Sequence, residues 1–162
     1  MPMKASAVMI AVVCLAAVPA IAGPGEDATA HSKAFETAVN ARDAKAIVAL
    51  YAPDAYVVWP GQGAEGHGTA EIEKLVANFV NGLPKDAKII LKSQTAVPLG
   101  DGYIGTVGHW QETFTEADGT RQVAEVRTTE IIKSENGKTW YVVDHASIGL
   151  PPQPDTPQAA SR

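Results

Sequence analysis

The sequence predicts an α+β fold in which three N-terminal helices cover one face of a curved antiparallel sheet. Apolar residues recur at helical spacing up to about residue 82 and alternate with polar residues after Pro84. The second half also carries three dipeptides typical of tight hairpin turns, namely Asp101-Gly102, Asp118-Gly119 and Asn136-Gly137. We therefore expect the helices first and a meander of antiparallel strands after them.

The first 22 residues have the pattern of a cleaved signal peptide. Lys4 precedes an apolar stretch from Ala7 to Val18, and Ala20-Ile21-Ala22 offers the small residues that signal peptidase accepts. The stretch is shorter than the roughly 20 apolar residues that a membrane-spanning helix needs. We expect export to the periplasm or beyond and no membrane contact after cleavage. The single cysteine, Cys14, lies in this segment, so disulfides and thiol catalysis are not expected.

Residues 23–150 are expected to form one domain, followed by a disordered tail over residues 151–162. The first range is an ordinary size for a single hydrophobic core. The second contains four prolines and little that is apolar. A formal net charge of −5 argues against a surface for nucleic acid, which needs clustered positive charge.

The helical half divides at its prolines and glycines. One helix is expected from about Glu26 to Asn40, and a second with its apolar stripe between Ala46 and Tyr51, ended by Pro53. A short strand at Tyr56–Trp59 and a glycine-rich loop follow, and a third helix is expected over Thr69–Gly82. The glycine spacing in the loop does not match a phosphate-binding motif.

Four long strands are expected after Pro84. Their expected ranges, set by the turn dipeptides, are Lys88–Leu99, Tyr103–Thr115, Arg121–Ser134 and Lys138–Ile148.

The segment from Phe35 to Asn81 resembles ketosteroid isomerase and its SnoaL-like relatives in the nuclear transport factor 2-like superfamily. The resemblance lies in Val39-Asn40-Ala41-Arg42-Asp43 and in the run from Ile47 to Ala55. The closing run from Tyr141 to Ser147 resembles an uncharacterised SnoaL-like branch that is also similar to the calmodulin-dependent kinase association domain. The resemblance implies a cone-shaped sandwich enclosing a pocket. Its members include isomerases, dehydratases, cyclases and non-catalytic binding or assembly domains, so activity requires a separate site argument.

Two-residue hairpin loops fix the register and so predict which side chains share a face. If Asp118-Gly119 is such a loop, Arg127 and Thr129 lie on the same face as Trp110 and Asp144. Val97 joins this interior face while Gln94 points away from it. The opposite face then carries one row made of His109, Thr128 and His145.

The resemblance places the three catalytic positions of ketosteroid isomerase at Phe35, Trp59 and Thr129. Phe35 stands at the tyrosine donor, Trp59 at the catalytic base and Thr129 at the acid that donates to the oxyanion. None of the three can act as the acid or base required there. Steroid isomerisation by that mechanism is therefore not expected.

The leading functional hypothesis is a pocket for a small, partly apolar molecule bearing an acceptor or anionic group. Arg127 would anchor this group through its planar guanidinium, or would instead form a structural ion pair with Asp144 or Glu125. The predicted ligand-binding residues are Arg127, Trp110, Thr129, Trp59, Phe35 and Tyr51. No cofactor is implied.

Two alternative functions remain open. A lyase or isomerase would use Asp144, or the pair Glu112 and Glu125 facing each other across two strands, where one carboxylate raises the pKa of the other. A homodimeric assembly module would use the outer face of the sheet instead. No metal site is predicted, because His109 and His145 would be separated by about 9.5 Å of sheet, beyond the reach of one zinc ion.

Overall fold

The computed structural model describes residues 23–60 and 64–154, which form three helices and one six-stranded sheet. The predicted signal peptide and residues 155–162 of the predicted tail lie outside the described residues. The helices are α1 (Pro24–Asn40), α2 (Ala44–Val48) and α3 (Thr69–Gly82). The strands are β1 (Tyr51–Val58), β2 (Glu65–His67), β3 (Lys88–Gly100), β4 (Tyr103–Thr115), β5 (Arg121–Glu135) and β6 (Lys138–Pro154). The predicted α+β class is confirmed.

The strand order is β2-β1-β6-β5-β4-β3, and the sheet is curved and open at both edges. All neighbouring strands are antiparallel except β1 and β6, which are parallel, so the sheet is mixed. The expected four-strand meander forms the larger part of it. Strand β6 runs to Pro154, so the first residues of the predicted tail are paired into the sheet.

The helices begin with local contacts that satisfy their first backbone N–H groups. The Glu26 carboxylate accepts a hydrogen bond from the Gly23 N–H at 3.2 Å, and Asp43 caps α2 by accepting from the Ala46 N–H at 2.9 Å. The prediction that Pro53 ends the second helix is wrong. Pro53 lies inside β1, in the segment where pairing with β6 is interrupted between Tyr51 and Tyr56, so its missing N–H leaves no ladder bond unmade.

The core lies between the helices and one face of the sheet. Its largest fully buried apolar side chains come from α2, α3 and three of the strands, and they are Ile47, Ile72, Val76, Val57, Ile132 and Tyr141. None of the helices among the described residues is long and apolar enough to cross a lipid bilayer.

Two of the three predicted hairpin turns are confirmed. Asp101-Gly102 joins β3 to β4 and Asn136-Gly137 joins β5 to β6, each as a two-residue loop with positive φ at both positions. The third prediction is wrong. The Glu116 N–H donates to the Thr120 carbonyl at 2.9 Å, which encloses a loop of three residues that ends in Gly119 at φ +87°. This is the turn in which a left-handed glycine follows a type I turn.

The extra loop residue reverses the two faces of β5 relative to the prediction. Glu112 pairs with Ala124 instead of Glu125, and every later partner is displaced by one position. Thr128 is consequently buried, whereas Arg127 and Thr129 are exposed on the face that points away from the helices.

Bulges in β6 and β3 change the register a second time. Ile132 pairs with Tyr141 but Ile131 pairs with Val143, so Val142 is an extra residue and Asp144 returns to the interior, as predicted. A bulge between Leu91 and Ser93 reverses the two faces of β3 after that point, and here the prediction fails. Gln94 turns inward and Val97, 52% exposed, turns outward, which overturns the expectation for both.

Candidate active site

A cavity of about 520 Å³ lies between the helices and the inner face of the sheet. Its walls are mainly apolar and include five aromatic residues, which are Phe35, Trp59, Phe79, Trp110 and Tyr141. Phe35 meets Trp59, Trp110 and Tyr141 edge-to-face, with ring centroids 6.1, 5.9 and 6.1 Å apart. This arrangement fixes the aromatic walls against one another.

Asp144 lies in this cavity and is 4% exposed. Its Oδ2 accepts hydrogen bonds from the Tyr51 hydroxyl at 2.6 Å and from Trp59 Nε1 at 2.8 Å. Burial raises the pKa of Asp144, and the bonds from Tyr51 and Trp59 act in the opposite direction.

Glu130 is a second acid in the cavity and is 2% exposed. Its Oε2 accepts a hydrogen bond from the Thr106 hydroxyl and a longer one, 3.5 Å, from Gln94 Nε2. Burial, and then the charge of Asp144, raise the pKa of Glu130 to about 7. Hydrogen bonds from Thr106, Thr128 and Gln94 partly offset this rise.

Glu130 and Asp144 occupy directly paired positions on β5 and β6. Across the described residues neither carboxyl forms an ion pair. Two like charges side by side in a buried site favour retention of one proton. We infer that Glu130 holds the proton, because the charge of Asp144 raises the pKa of Glu130.

Gly108 makes room for the polar group beside this pair. A Cβ at this position would lie 2.5 Å from Thr128 Oγ1 and 3.0 Å from Trp110 Nε1. Trp110 Nε1 donates to Thr128 Oγ1 at 3.3 Å. The absence of a side chain on β4 at Gly108 therefore allows the tryptophan and the threonine to meet at the cavity wall.

A second polar group lies behind the cavity, against α1. Gln94 Nε2 donates to Ser32 Oγ at 2.7 Å, and Ser32 Oγ lies 3.4 Å from the Tyr141 hydroxyl. His31 is buried beside Tyr141, and its Nδ1 lies 2.9 Å from the Thr139 hydroxyl. Burial lowers the pKa of His31 to about 4, so its imidazole is neutral near pH 7.

Comparisons with known proteins agree with this architecture. Residues 32–142 match the profile of the SnoaL-like domain. The chain belongs to the SnoaL-like domain family. A search of curated protein sequences found no match.

Three similar solved structures share the fold of this SnoaL-like domain. A ketosteroid isomerase-like protein from Erwinia carotovora atroseptica is 21% identical, with a TM-score of 0.63 over 76% of this chain and 94% of its own. The hexachlorocyclohexane dehydrochlorinase LinA-type3 from Novosphingobium barchaimii is 12% identical, with a TM-score of 0.68 over 84% and 92%. An uncharacterised protein with a cystatin-like fold from Caulobacter vibrioides is 22% identical, with a TM-score of 0.67 over 79% and 91%.

The predicted site residues of the SnoaL-like domain fall into two groups. Those that line the cavity are Phe35, Trp59, Trp110, Glu112 and Asp144, and Tyr51 contacts it through its hydrogen bond to Asp144.

Arg127, Thr129 and Glu125 lie outside the cavity, exposed on the opposite face of the sheet. The prediction of Arg127 as an interior anchor is therefore wrong, as is the interior ion pair with Asp144. Glu125 does not face Glu112, because its partner is Gln111. All three errors have the same cause, the one-residue difference in the loop before β5.

His109 and His145 are exposed on the outer face, as predicted, but the row assigned to them is wrong because Thr128 is buried in the cavity. Among the residues that the structure describes, no three histidine, cysteine, aspartate or glutamate side chains are grouped closely enough to hold a metal ion.

Glu130, Thr106, Thr128 and Gln94 form much of the polar site, yet sequence reasoning did not select them. Both faces of β5 carry apolar residues in the sequence. Val126 and Ile132 share a face with Glu130, and Val123 and Ile131 share the other face with Arg127, so the alternation allows either face to be interior. The signal in the sequence for an interior Glu130 is a single acidic residue among apolar ones. The predicted two-residue turn at Asp118-Gly119 places the other face of β5 inside instead.

Proposed function

We propose that this SnoaL-like domain is a lyase or isomerase that moves a proton on a small, largely apolar molecule. Asp144 and Glu130 are the proposed acid–base pair. The observation that carries the proposal is their direct pairing on β5 and β6, with both side chains buried and both lining an apolar cavity. Two adjacent carboxyl groups of different proton affinity suit the two halves of a proton transfer.

The proposed reaction uses each carboxyl once. The Asp144 carboxylate takes a proton from a carbon next to a carbonyl group, and the C–H electron pair forms a C=C bond while the carbonyl electrons move onto oxygen. Protonated Glu130 donates to that oxygen. In an isomerisation Asp144 returns its proton to a different carbon while the enol O–H proton goes back to Glu130, which re-forms the carbonyl group. In an elimination the enol O–H proton goes back to Glu130, the carbonyl re-forms, and the β-substituent leaves with its bonding electrons and takes up the proton held by Asp144.

The chemistry differs from that of ketosteroid isomerase in the residues that carry it. Phe35 and Trp59 stand where the resemblance places a tyrosine and an aspartate, and neither holds a transferable proton near neutral pH. Trp59 has a positioning role in the proposal, since its indole N–H donates to Asp144. Two similar structures are named for an isomerase and a dehydrochlorinase, and both reaction types remove a proton from carbon.

The test is exchange of carbon-bound hydrogen in D₂O. The protein is incubated with a panel of small ketones and β-substituted ketones, some neutral and some bearing an amine, and loss of the C–H signals is followed by NMR. We expect faster exchange than in buffer for at least one compound. Asp144→Asn and Glu130→Gln should each lower the rate by about 10²- to 10⁴-fold, the usual contribution of a general acid or base.

Arg127→Ala is the matched control, because this charged residue lies on the same sheet but outside the cavity. It should retain the exchange rate of the unmodified protein. Exchange no faster than in buffer for every compound, or equal exchange by Asp144→Asn, would overturn the proposal.

We also propose that a second copy of the chain covers the outer face of the sheet. Val97 and Val107 are 52% and 49% exposed there, and Leu99 and Tyr103 continue the apolar surface. This surface supports homodimerisation as an assembly role that accompanies the cavity.

Sedimentation velocity tests the homodimer. The unmodified protein should sediment as a dimer, and Val107→Lys should sediment as a monomer because its charge would be buried in the contact. Asn78→Lys at the cavity is the control and should remain dimeric. A monomeric unmodified protein at micromolar concentration would rule out the proposed contact.

Export remains a proposal of its own, supported by the pattern of residues 1–22. Mass spectrometry of the protein from a periplasmic extract should give a chain that begins at Gly23. A full-length chain found with the cytoplasmic fraction would contradict export.

A further inference from the structure

We propose that the ligand of this cavity is a small organic cation, an amine carried on an apolar body, and that Glu112 is the carboxylate that binds its charge. The proposal deepens the proposed function, because it assigns a ligand class to the same cavity. It differs from the sequence-based expectation of an anionic ligand anchored by Arg127. That expectation is not supported, because Arg127 lies on the outer face and cannot bind a ligand in the cavity.

The charged residues around the cavity are mostly acidic. Among the described residues five carboxyl groups line it, against one basic side chain, Lys74; the acids are Glu65, Glu71, Glu112, Glu130 and Asp144. Glu65, Glu71 and Lys74 are exposed at the mouth, where solvent screens them. The acidic side chains that lie deeper are Glu112, Glu130 and Asp144. An anion entering this cavity would be repelled by them, whereas a cation would be attracted.

The aromatic walls favour the same class of ligand. Trp59, Trp110 and Phe35 line a space of about 520 Å³, which is ample for a molecule of one or two rings. A cation over the face of an aromatic ring gains about 0.5 to 2 kcal/mol, with tryptophan the most favourable ring. The apolar body of the amine would fill the rest of the cavity by hydrophobic contact.

Glu112 is the carboxylate best placed to bind the charge. It lines the cavity on β4 and is half-buried, and burial raises its pKa. Its direct neighbours across the sheet are Ile89 and Ala124, both apolar. Within the described ranges its carboxylate forms no ion pair with a basic side chain. A bound ammonium group would supply the partner that the protein does not.

The carboxyl pair is less suited to this role. Asp144 Oδ2 already accepts from Tyr51 and Trp59, and Glu130 Oε2 accepts from Thr106. Binding of the cation at Glu112 therefore leaves Asp144 and Glu130 available for proton transfer. The two functions occupy different carboxyl groups of one cavity.

Matched triads of probes test the proposal by isothermal titration calorimetry near neutral pH. Each triad has one body and three terminal groups: tryptamine, tryptophol and indole-3-acetate; 2-phenylethylamine, 2-phenylethanol and phenylacetate; and the corresponding naphthyl compounds. We expect the amine to bind at least about tenfold more tightly than the alcohol in at least one triad, which corresponds to about 1.4 kcal/mol. The carboxylate should bind most weakly.

Glu112→Gln and Glu125→Gln form the matched pair of variants. Both remove a glutamate charge from the same sheet, one from the cavity wall and the other from the exposed outer face. Glu112→Gln should lower amine affinity to that of the alcohol and leave alcohol affinity unchanged, and Glu125→Gln should change neither.

Three outcomes would overturn the proposal. One is the absence of an amine preference in every triad, including the absence of any binding, and another is tighter binding of the carboxylates. The third is an amine preference that survives Glu112→Gln, which would remove Glu112 as the anchor. Each can occur while the D₂O exchange still depends on Asp144, so failure of this proposal is distinguishable from failure of the proposed function.

Discussion

Glu130 and Asp144 face each other across β5 and β6, and each is almost fully buried in the same cavity. An arrangement of this kind costs stability whenever both groups are ionised, because no protein cation among the described residues pairs with them. A role in proton transfer would explain why a cavity contains two buried carboxyl groups despite this cost. The cost also allows the pair to be tested without a substrate, through the pH dependence of the free energy of unfolding.

The Glu130 carboxyl should make the protein less stable at high pH. Its pKa is about 7 in the folded protein against an ordinary value of 4.5, so the folded state holds the proton more tightly than the unfolded chain. The stability linked to this proton is present below pH 4.5 and is lost as the pH rises through about 7. The titratable groups that interact with Glu130 are Asp144, Tyr51 and Tyr141.

Glu130→Gln tests this sign. Urea unfolding at about pH 5 and pH 8 should show the variant gaining about 2 to 3 kcal/mol relative to the unmodified protein at the higher pH. Glu125→Gln, on the exposed face, should show no such gain. Parallel pH profiles for Glu130→Gln and the unmodified protein would refute the raised pKa.

The Tyr51 hydroxyl should stabilise the Asp144 carboxylate. Tyr51→Phe removes the 2.6 Å hydrogen bond and leaves the ring in place, at an expected cost of about 1 to 3 kcal/mol in the free energy of unfolding. The cost should grow with pH, because the bond favours the charged form of Asp144. Tyr56→Phe, 55% exposed, is the control in the same urea titration. Equal small losses for both variants would exclude a buried carboxylate bond.

Most of the fold could be predicted from the sequence because its signals are local. The apolar period of α3, the left-handed conformations that Asp101-Gly102 and Asn136-Gly137 adopt, and the strand ranges between them need only neighbouring residues. The parallel pairing of β1 with β6 joins residues far apart in the chain, and no local pattern announces it.

The site was harder to predict because the number of residues in the loop before β5 decides which side chains of that strand face the cavity. Asp118-Gly119 fits a two-residue turn as well as the observed three-residue loop, and the difference of one residue exchanges Arg127 for Thr128 and Thr129 for Glu130 at the cavity. The bulge at Val142 reverses the two faces of β6 after that point, so the interior position predicted for Asp144 is correct. Phe35, Trp59 and Trp110 were placed correctly as well, because their positions do not depend on β5.

His31 should make the protein sensitive to acid. Its pKa falls from 6.5 to about 4 on burial, so the folded state binds fewer protons than the unfolded chain, and stability is lost as the pH falls from 6.5 towards 4. His31→Asn should reduce this loss by about 3 kcal/mol, measured as the change in unfolding free energy between pH 7.5 and pH 4. His109→Asn, on the outer face, should leave the loss unchanged; an unaltered acid limb in His31→Asn would contradict burial as its cause.

Gly108 should be intolerant of a side chain even though it lies in the middle of a regular strand. In Gly108→Ala the new methyl group would lie 2.5 Å from Thr128 Oγ1, which is closer than such atoms approach, and 3.0 Å from Trp110 Nε1. Relief of the contact requires Thr128 or Trp110 to move, which breaks their hydrogen bond and narrows the cavity. We expect a loss of about 1 to 3 kcal/mol in the free energy of unfolding.

Gly105→Ala is the control on the same strand, because its Cβ would meet only the flexible end of Leu99 at 3.4 Å. If both variants unfold at the same urea concentration, Gly108 is not required for the wall; if only Gly108→Ala is destabilised, the close contact of β4 and β5 at Thr128 supports the site.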